Sequence, residues 1–349
     1  MKLAHYSLGF TTLTGEVDLP ELPCRGRVPE WLRGCLVRTG PARFEVGAQA
    51  YNHWFDGLAM LHKFSFANGR VGYANRYLRG RSYSEAMQNG TIRRGEFATD
   101  PERGVLGTMF PFIARRGVGD NGNVNVSRIG DSMVALTETP APVRFDLATL
   151  ETLDAYRYHD KLVGQITTAH PQFDAQRRRQ YNYLLEFGRI SKYHLYGIDA
   201  DDQQRRRIAT IPAQQPAYMH SFGMSNRYLI LTEFPLVVNP LKLLLRHQPF
   251  IRNYRWQPEL GTVFHIVDKE TGEVVKTARS EPFFAFHHVN AFERGAEVVV
   301  DIVAYPDASV IDQLYLDRLQ SGLPVTVTGQ LRRFRIGLGA SGGVTVETL

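Results

Sequence analysis

Thr262-Val263-Phe264-His265-Ile266-Val267, followed by Asp268-Lys269-Glu270-Thr271-Gly272-Glu273 and then Val274-Val275, decides the fold class. The first run is dense in β-branched and aromatic residues, the second is an Asp-rich turn containing glycine, and the third resumes β-prone residues. Strand, turn, strand is the pattern of an antiparallel hairpin. The same device recurs upstream. Tyr181-Asn182-Tyr183-Leu184-Leu185-Glu186-Phe187 and Tyr193-His194-Leu195-Tyr196-Gly197-Ile198 alternate as paired strands, and Asp199-Ala200-Asp201-Asp202 turns the chain into Arg207-Ile208-Ala209-Thr210-Ile211. Residues 133–137, 143–146, 331–336 and 344–349 read as further strands. Helix is sparse, with one short element expected at 241–246 and one at 310–319, where apolar residues recur at near-helical spacing. Short strands at fairly even spacing predict an all-β chain with radially repeated antiparallel sheets, a β-propeller, in preference to a sandwich. Without a linker or a shift in composition, residues 1–349 read as a single domain.

Composition narrows the class. The chain has 349 residues, 43% hydrophobic and 22% charged, as in ordinary globular proteins. Its net charge is +6, but the arginines are scattered in short runs such as 177–179 and 205–207. These read as solvated turns, and with no recognition fold beside them no nucleic-acid partner is expected. Cys24 and Cys35 are the only cysteines, too few for a disulfide scaffold or a thiolate metal site. Residues 1–6 lack the apolar run of a signal peptide, and no apolar stretch reaches 18 residues. The expectation is a cytoplasmic protein, or one resting on a membrane without crossing it.

Three of the 11 histidines stand in distinctive settings. His170 lies in Thr168-Ala169-His170-Pro171-Gln172, His220 in Tyr218-Met219-His220-Ser221-Phe222, and His287 in Phe284-Ala285-Phe286-His287-His288-Val289-Asn290. Each sits at the edge of a strand-like run. They are 50 and 67 residues apart, about one propeller blade each, so successive blades would bring one imidazole apiece to a common axis. No His-Glu-x-x-His motif accompanies them, and no carboxylate completes a facial triad. Spacing by itself leaves both metal ligation and three core histidines open.

The segments around these histidines resemble the metal-ligand motifs of the carotenoid cleavage oxygenases. The likeness extends to Gly34-Cys35-Leu36-Val37-Arg38-Thr39-Gly40-Pro41, where the family has Arg-Asn-Gly-Pro, and to Phe55-Asp56-Gly57-Leu58-Ala59-Met60, where it has Phe-Asp-Gly-Asp-Gly-Met. Tyr218 through Leu236 resembles the β-carotene and retinoid branch. The resemblance implies a seven-bladed propeller with Fe(2+) on its axis, held by four histidines. Three of these carry over to His170, His220 and His287, because the family pattern Phe-His-x-x-Asn selects His287 over His288. The fourth lies well beyond the third motif in the family, and no histidine follows His288 here. The expectation is therefore a chain that lacks the C-terminal blades. Glu138 matches a glutamate that accepts the second N–H of a ligating imidazole, a partner such ligands generally need.

The activity implied is a dioxygenase that cleaves one double bond of a carotenoid or apocarotenoid with O2, giving two carbonyl products. Two alternatives stand beside it: a truncated, inactive carotenoid-binding protein, and a stilbene-cleaving dioxygenase. An apolar polyene needs an apolar tunnel, for which Phe110, Phe112, Tyr218, Phe222, Phe234, Phe284 and Phe286 are the candidate lining. Because such substrates dissolve in membranes, the apolar and basic stretch 234–247 is the expected point of peripheral membrane contact.

Overall fold

The computed structural model describes residues 5–101, 119–245, 248–322 and 324–349. They form five antiparallel sheets of four or five strands, each from a local stretch of chain, with two small two-stranded ribbons. Contacts divide the chain into two compact units. One comprises Met1–Arg157 with Leu316–Gly322 and carries the first two sheets. The other comprises Tyr158–Tyr315 with Leu323–Leu349 and carries the last three. The resemblance implies seven blades for the family; five such sheets stand among the described residues.

The hairpin read from sequence is present. Thr262–Asp268 pairs antiparallel with Val274–Ser280. In the turn, Asp268 Oδ1 accepts the backbone N–H groups of Glu270 and Thr271, the side-chain-to-backbone closure for which aspartate is favoured. Gly272 has φ +74°, and a Cβ there would stand 2.1 Å from the Ile208 carbonyl oxygen of the neighbouring sheet. Both left-handed backbone and close approach thus require glycine.

Thr262–Asp268 is buried almost throughout because both of its faces are covered. Val267 packs with Leu195, Ile211 and Leu229 in a core shared with the third sheet. Phe264 faces the other way, against Phe283 and Phe334 of the fifth-sheet side. Each such buried side chain contributes about 1.5–3 kcal/mol. Stacking sheet on sheet therefore explains continuous apolar runs where a one-faced sheet would alternate.

Two helical expectations differ from the structure. Residues 310–319 form not one helix but two, Ser309–Gln313 and Leu316–Ser321. The break falls where the Leu314 N–H turns back to Ile311 O and the Leu316 N–H donates to Asn52 O instead of continuing a helical ladder. The helix Arg81–Asn89 was not expected from the sequence. It begins where Asp120, 39 residues away, accepts the N–H groups of Arg81 and Ser82, and it ends on Gly90 at φ +62°. The helix at 241–246 is present as Pro240–Leu245.

Candidate metal centre

All three histidines lie in the second unit, each at the mouth of its own sheet. His170 sits between Ile166–Thr167 and Gln172–Asp174, two short strands that pair with the same partner, Arg179–Glu186. His220 precedes Gly223–Met224, the end strand of the fourth sheet, and His287 precedes His288–Arg294, the end strand of the fifth. Three successive sheets thus deliver one imidazole apiece, as the spacing predicts.

The imidazoles converge. His170 Nε2 lies 2.9 Å from His220 Nε2. Ring centroids are 4.6 Å apart for His170 and His220, 5.0 Å for His170 and His287, and 5.1 Å for His220 and His287. One ring nitrogen from each of the three lies within 4.8 Å of the others. His220 is buried, His170 part-buried and His287 exposed. Burial, with the neighbouring His220 and His287, presses the His170 pKa down to about 3. The His170 ring therefore stays neutral near pH 7, the form that binds a metal.

These residues fit a divalent transition metal. A metal–imidazole bond of about 2.1 Å places two neighbouring ligand nitrogens at right angles about 3.0 Å apart, close to the separation found for His170 and His220. Imidazole donors suit iron, zinc, copper or nickel.

The adjacent His288 does something else. Its Nδ1 lies 2.9 Å from Ser221 Oγ and its Nε2 2.9 Å from Thr232 Oγ1. Since the Ser221 proton goes to Phe286 O, the network calls for Nδ1–H on His288, with Thr232 donating to Nε2. Burial, then His287, holds the pKa of His288 at about 3. Both of its nitrogens are engaged, leaving no lone pair for a metal.

Tyr218, Phe234, Phe284 and Phe286 form one aromatic group against His220. Phe286 is 5.4 Å from the His220 ring and 5.0 Å from Phe284, which stacks on Tyr218 and meets Phe234 at 5.8 Å. Phe222 packs instead beside Tyr183 in the core between sheets. Phe110 and Phe112 lie outside the described residues. Glu138 follows the strand Ser132–Leu136 in the first unit and is part-buried. Within the stretch 234–247, Phe234, Leu236, Val237 and Val238 are buried, while Leu241 on the helix Pro240–Leu245 is 63% exposed. No helix among the described residues is long and apolar enough to cross a membrane.

Sequence reasoning passed over Thr168, Ser221 and Thr232, whose hydroxyls hold the histidine segments. The available signal was a hydroxyl within two residues of the histidine in two of the three motifs.

Sheets of this kind, with one imidazole brought to a common cluster from the mouth of each of three successive sheets, point to a carotenoid-oxygenase type of propeller. Similarity to solved structures bears this out. A cobalt-substituted Synechocystis ACO superposes with TM-score 0.84 at 26% identity, over 98% of this chain and 72% of that one. An ACO/RPE65 chimera gives 0.83 at 25% identity over the same shares. The family model described as retinal pigment epithelial membrane protein matches residues 10–348, and the chain belongs to that family, the carotenoid oxygenases. The beta,beta-carotene 15,15'-dioxygenase of Gallus gallus is 33% identical over 329 residues, 86% of this chain and 62% of its own length. A mitochondrial carotenoid-cleaving dioxygenase of Macaca fascicularis is 33% identical over 318 residues, 84% of this chain and 57% of its own. The chain thus spans about three-fifths of these relatives.

Proposed function

We propose that the protein acts as an Fe(II)-dependent dioxygenase cleaving a conjugated double bond of a carotenoid or apocarotenoid into two carbonyl compounds. The observation that carries this reading is the convergence of His170, His220 and His287 from three successive sheets, in a chain whose relatives are named carotenoid dioxygenases. Fe(II), when bound, supplies the one-electron chemistry that lets triplet O2 react with a singlet polyene.

The chain's own residues do the rest. Neutral imidazoles bring no negative charge, so a divalent ion held by them keeps its full charge. Tyr218, Phe284 and Phe286 are buried and packed on one another beside His220, an apolar wall that excludes water from that side of the histidines. Both oxygens of O2 end in the products and no proton is transferred, so no side chain serves as acid or base. Membrane contact, in this reading, falls to the helix Pro240–Leu245, since residues 234–238 are largely committed to the core.

Iron content and polyene bleaching of the purified protein test the proposal. His220→Ala should remove both. Retention of iron and full turnover in His220→Ala would sink the reading.

A further inference from the structure

Three histidines on three different sheets can converge only if the sheets are held in register at that end, and the bonds that do so are two buried hydroxyls. Thr168 Oγ1 donates to the backbone carbonyl of His220 and accepts the backbone N–H of His170 at 3.0 Å. One side chain therefore grips the main chain of two ligand residues from neighbouring sheets. Ser221 repeats the arrangement one sheet further on. Its Oγ donates to Phe286 O at 2.7 Å and accepts the His288 N–H at 2.9 Å, gripping the main chain on both sides of His287. Thr168 and Ser221 are 1% and 3% exposed.

The supporting bonds run the same way. Asn182 Nδ2 donates to Thr168 O at 2.8 Å, Tyr183 OH to Met219 O at 2.6 Å, and Gln172 Nε2 to Phe222 O at 3.1 Å. Ordinary ladder hydrogen bonds do not join these segments, because Gly223–Met224 and His288–Arg294 are end strands of separate sheets. The staples replace the missing ladder at the point where the imidazoles leave the backbone.

We propose that Thr168 and Ser221 are positioning residues for the metal: hydroxyl staples that fix the three ligand-bearing segments before any ion arrives. The inference rests on the metal reading of the histidine cluster given above. A ligand set fixed in advance binds without ordering three separate segments, so losing a staple weakens metal binding although no imidazole is removed.

The test is Co(II) titration of the metal-free full chain, followed by visible absorption and calorimetry, with thermal unfolding of the metal-free proteins alongside. Thr168→Val keeps the shape and removes both bonds; Thr168→Ser keeps the hydroxyl. Ser221→Ala is the second, independent deletion, should Thr168→Val fail to fold. The expected result is a loss of Co(II) affinity on the order of 10- to 100-fold in Thr168→Val and Ser221→Ala, with Thr168→Ser within threefold of the parent. Parental affinity in both deletions, or equal loss in Thr168→Ser and Thr168→Val, overturns the staples alone. A parent chain that binds no Co(II) overturns the staples and the metal reading together.

Discussion

Replacing Lys269 by methionine tests how the sheets of the second unit are tied together at their turns. Lys269 is fully buried; its Nζ donates to Asp174 Oδ2 at 2.6 Å and to Ser225 O at 2.9 Å, and it lies 5.3 Å from the Tyr181 ring centre. It comes from the decisive turn after Val267, and it reaches the Asp174 turn of the third sheet and the Ser225 turn of its own, fourth sheet. Methionine keeps the length and loses the charge. The carboxylate bond is worth about 1.5–3 kcal/mol and the carbonyl bond about 1. Asp174 is only 7% exposed, but it keeps Arg177, whose Nη1 lies 3.0 Å from the same oxygen. The loss should therefore sit at the low end of the 3–5 kcal/mol for breaking a buried pair, about 3 kcal/mol. For a unit of this size that is a fall in Tm of about 6–12 °C, read by calorimetry at pH 7.

The acid limb gives a second reading of the same variant. Burial alone would raise the Asp174 pKa, but Lys269 and Arg177 outweigh it and hold the group at about 2, below its ordinary 3.8. A depressed carboxylate contributes stability above pH 3.8 that disappears as pH falls towards 2. Removing Lys269 takes away much of that depression, so the Tm gap between parent and variant should narrow between pH 5 and pH 2. Adding Asp174→Asn to Lys269→Met should recover part of the loss, because the buried carboxylate left with Arg177 as its one cation goes too. A gap below 2 °C at pH 7, or one unchanged down to pH 2, refutes the account.

Other perturbations separate roles that sit side by side. His287→Ala should abolish metal binding with little change in the Tm of the metal-free protein, whereas His288→Ala should bind metal but melt several degrees lower, having lost the imidazole's bonds to Ser221 and Thr232; metal content and calorimetry on the pair decide it. Gly272→Ala combines left-handed backbone with a clash at 2.1 Å against a backbone carbonyl, so a loss above about 2 kcal/mol is expected. Gly295→Ala, at φ +61° with nothing within 4 Å, should cost only about 1 kcal/mol, and equal losses would show that the contact does not matter. Leu241→Glu should reduce co-sedimentation with phosphatidylcholine–phosphatidylserine vesicles several-fold, and unchanged pelleting would remove the helix Pro240–Leu245 as a membrane contact.

What the sequence disclosed follows from the range over which each feature is determined. The hairpin at 262–280 is written in its own residues, since strand propensity, Asp268 and Gly272 all act within a few positions. The start of Arg81–Asn89 is not, because its capping carboxylate, Asp120, comes from 39 residues downstream. The histidines fall between these cases. Their spacing announces one per sheet, yet the direction of each ring is set by partners far along the chain. The choice between His287 and His288 shows why. Neighbouring residues at the start of a strand point to opposite sides, so one of the two must face the cluster and the other the sheet. Either could do so on local grounds. What decides is that Ser221, 67 residues earlier, and Thr232, 56 residues earlier, occupy both nitrogens of His288. The family motif contains the outcome of that arrangement without its cause, and the cause is visible only once the sheets are stacked.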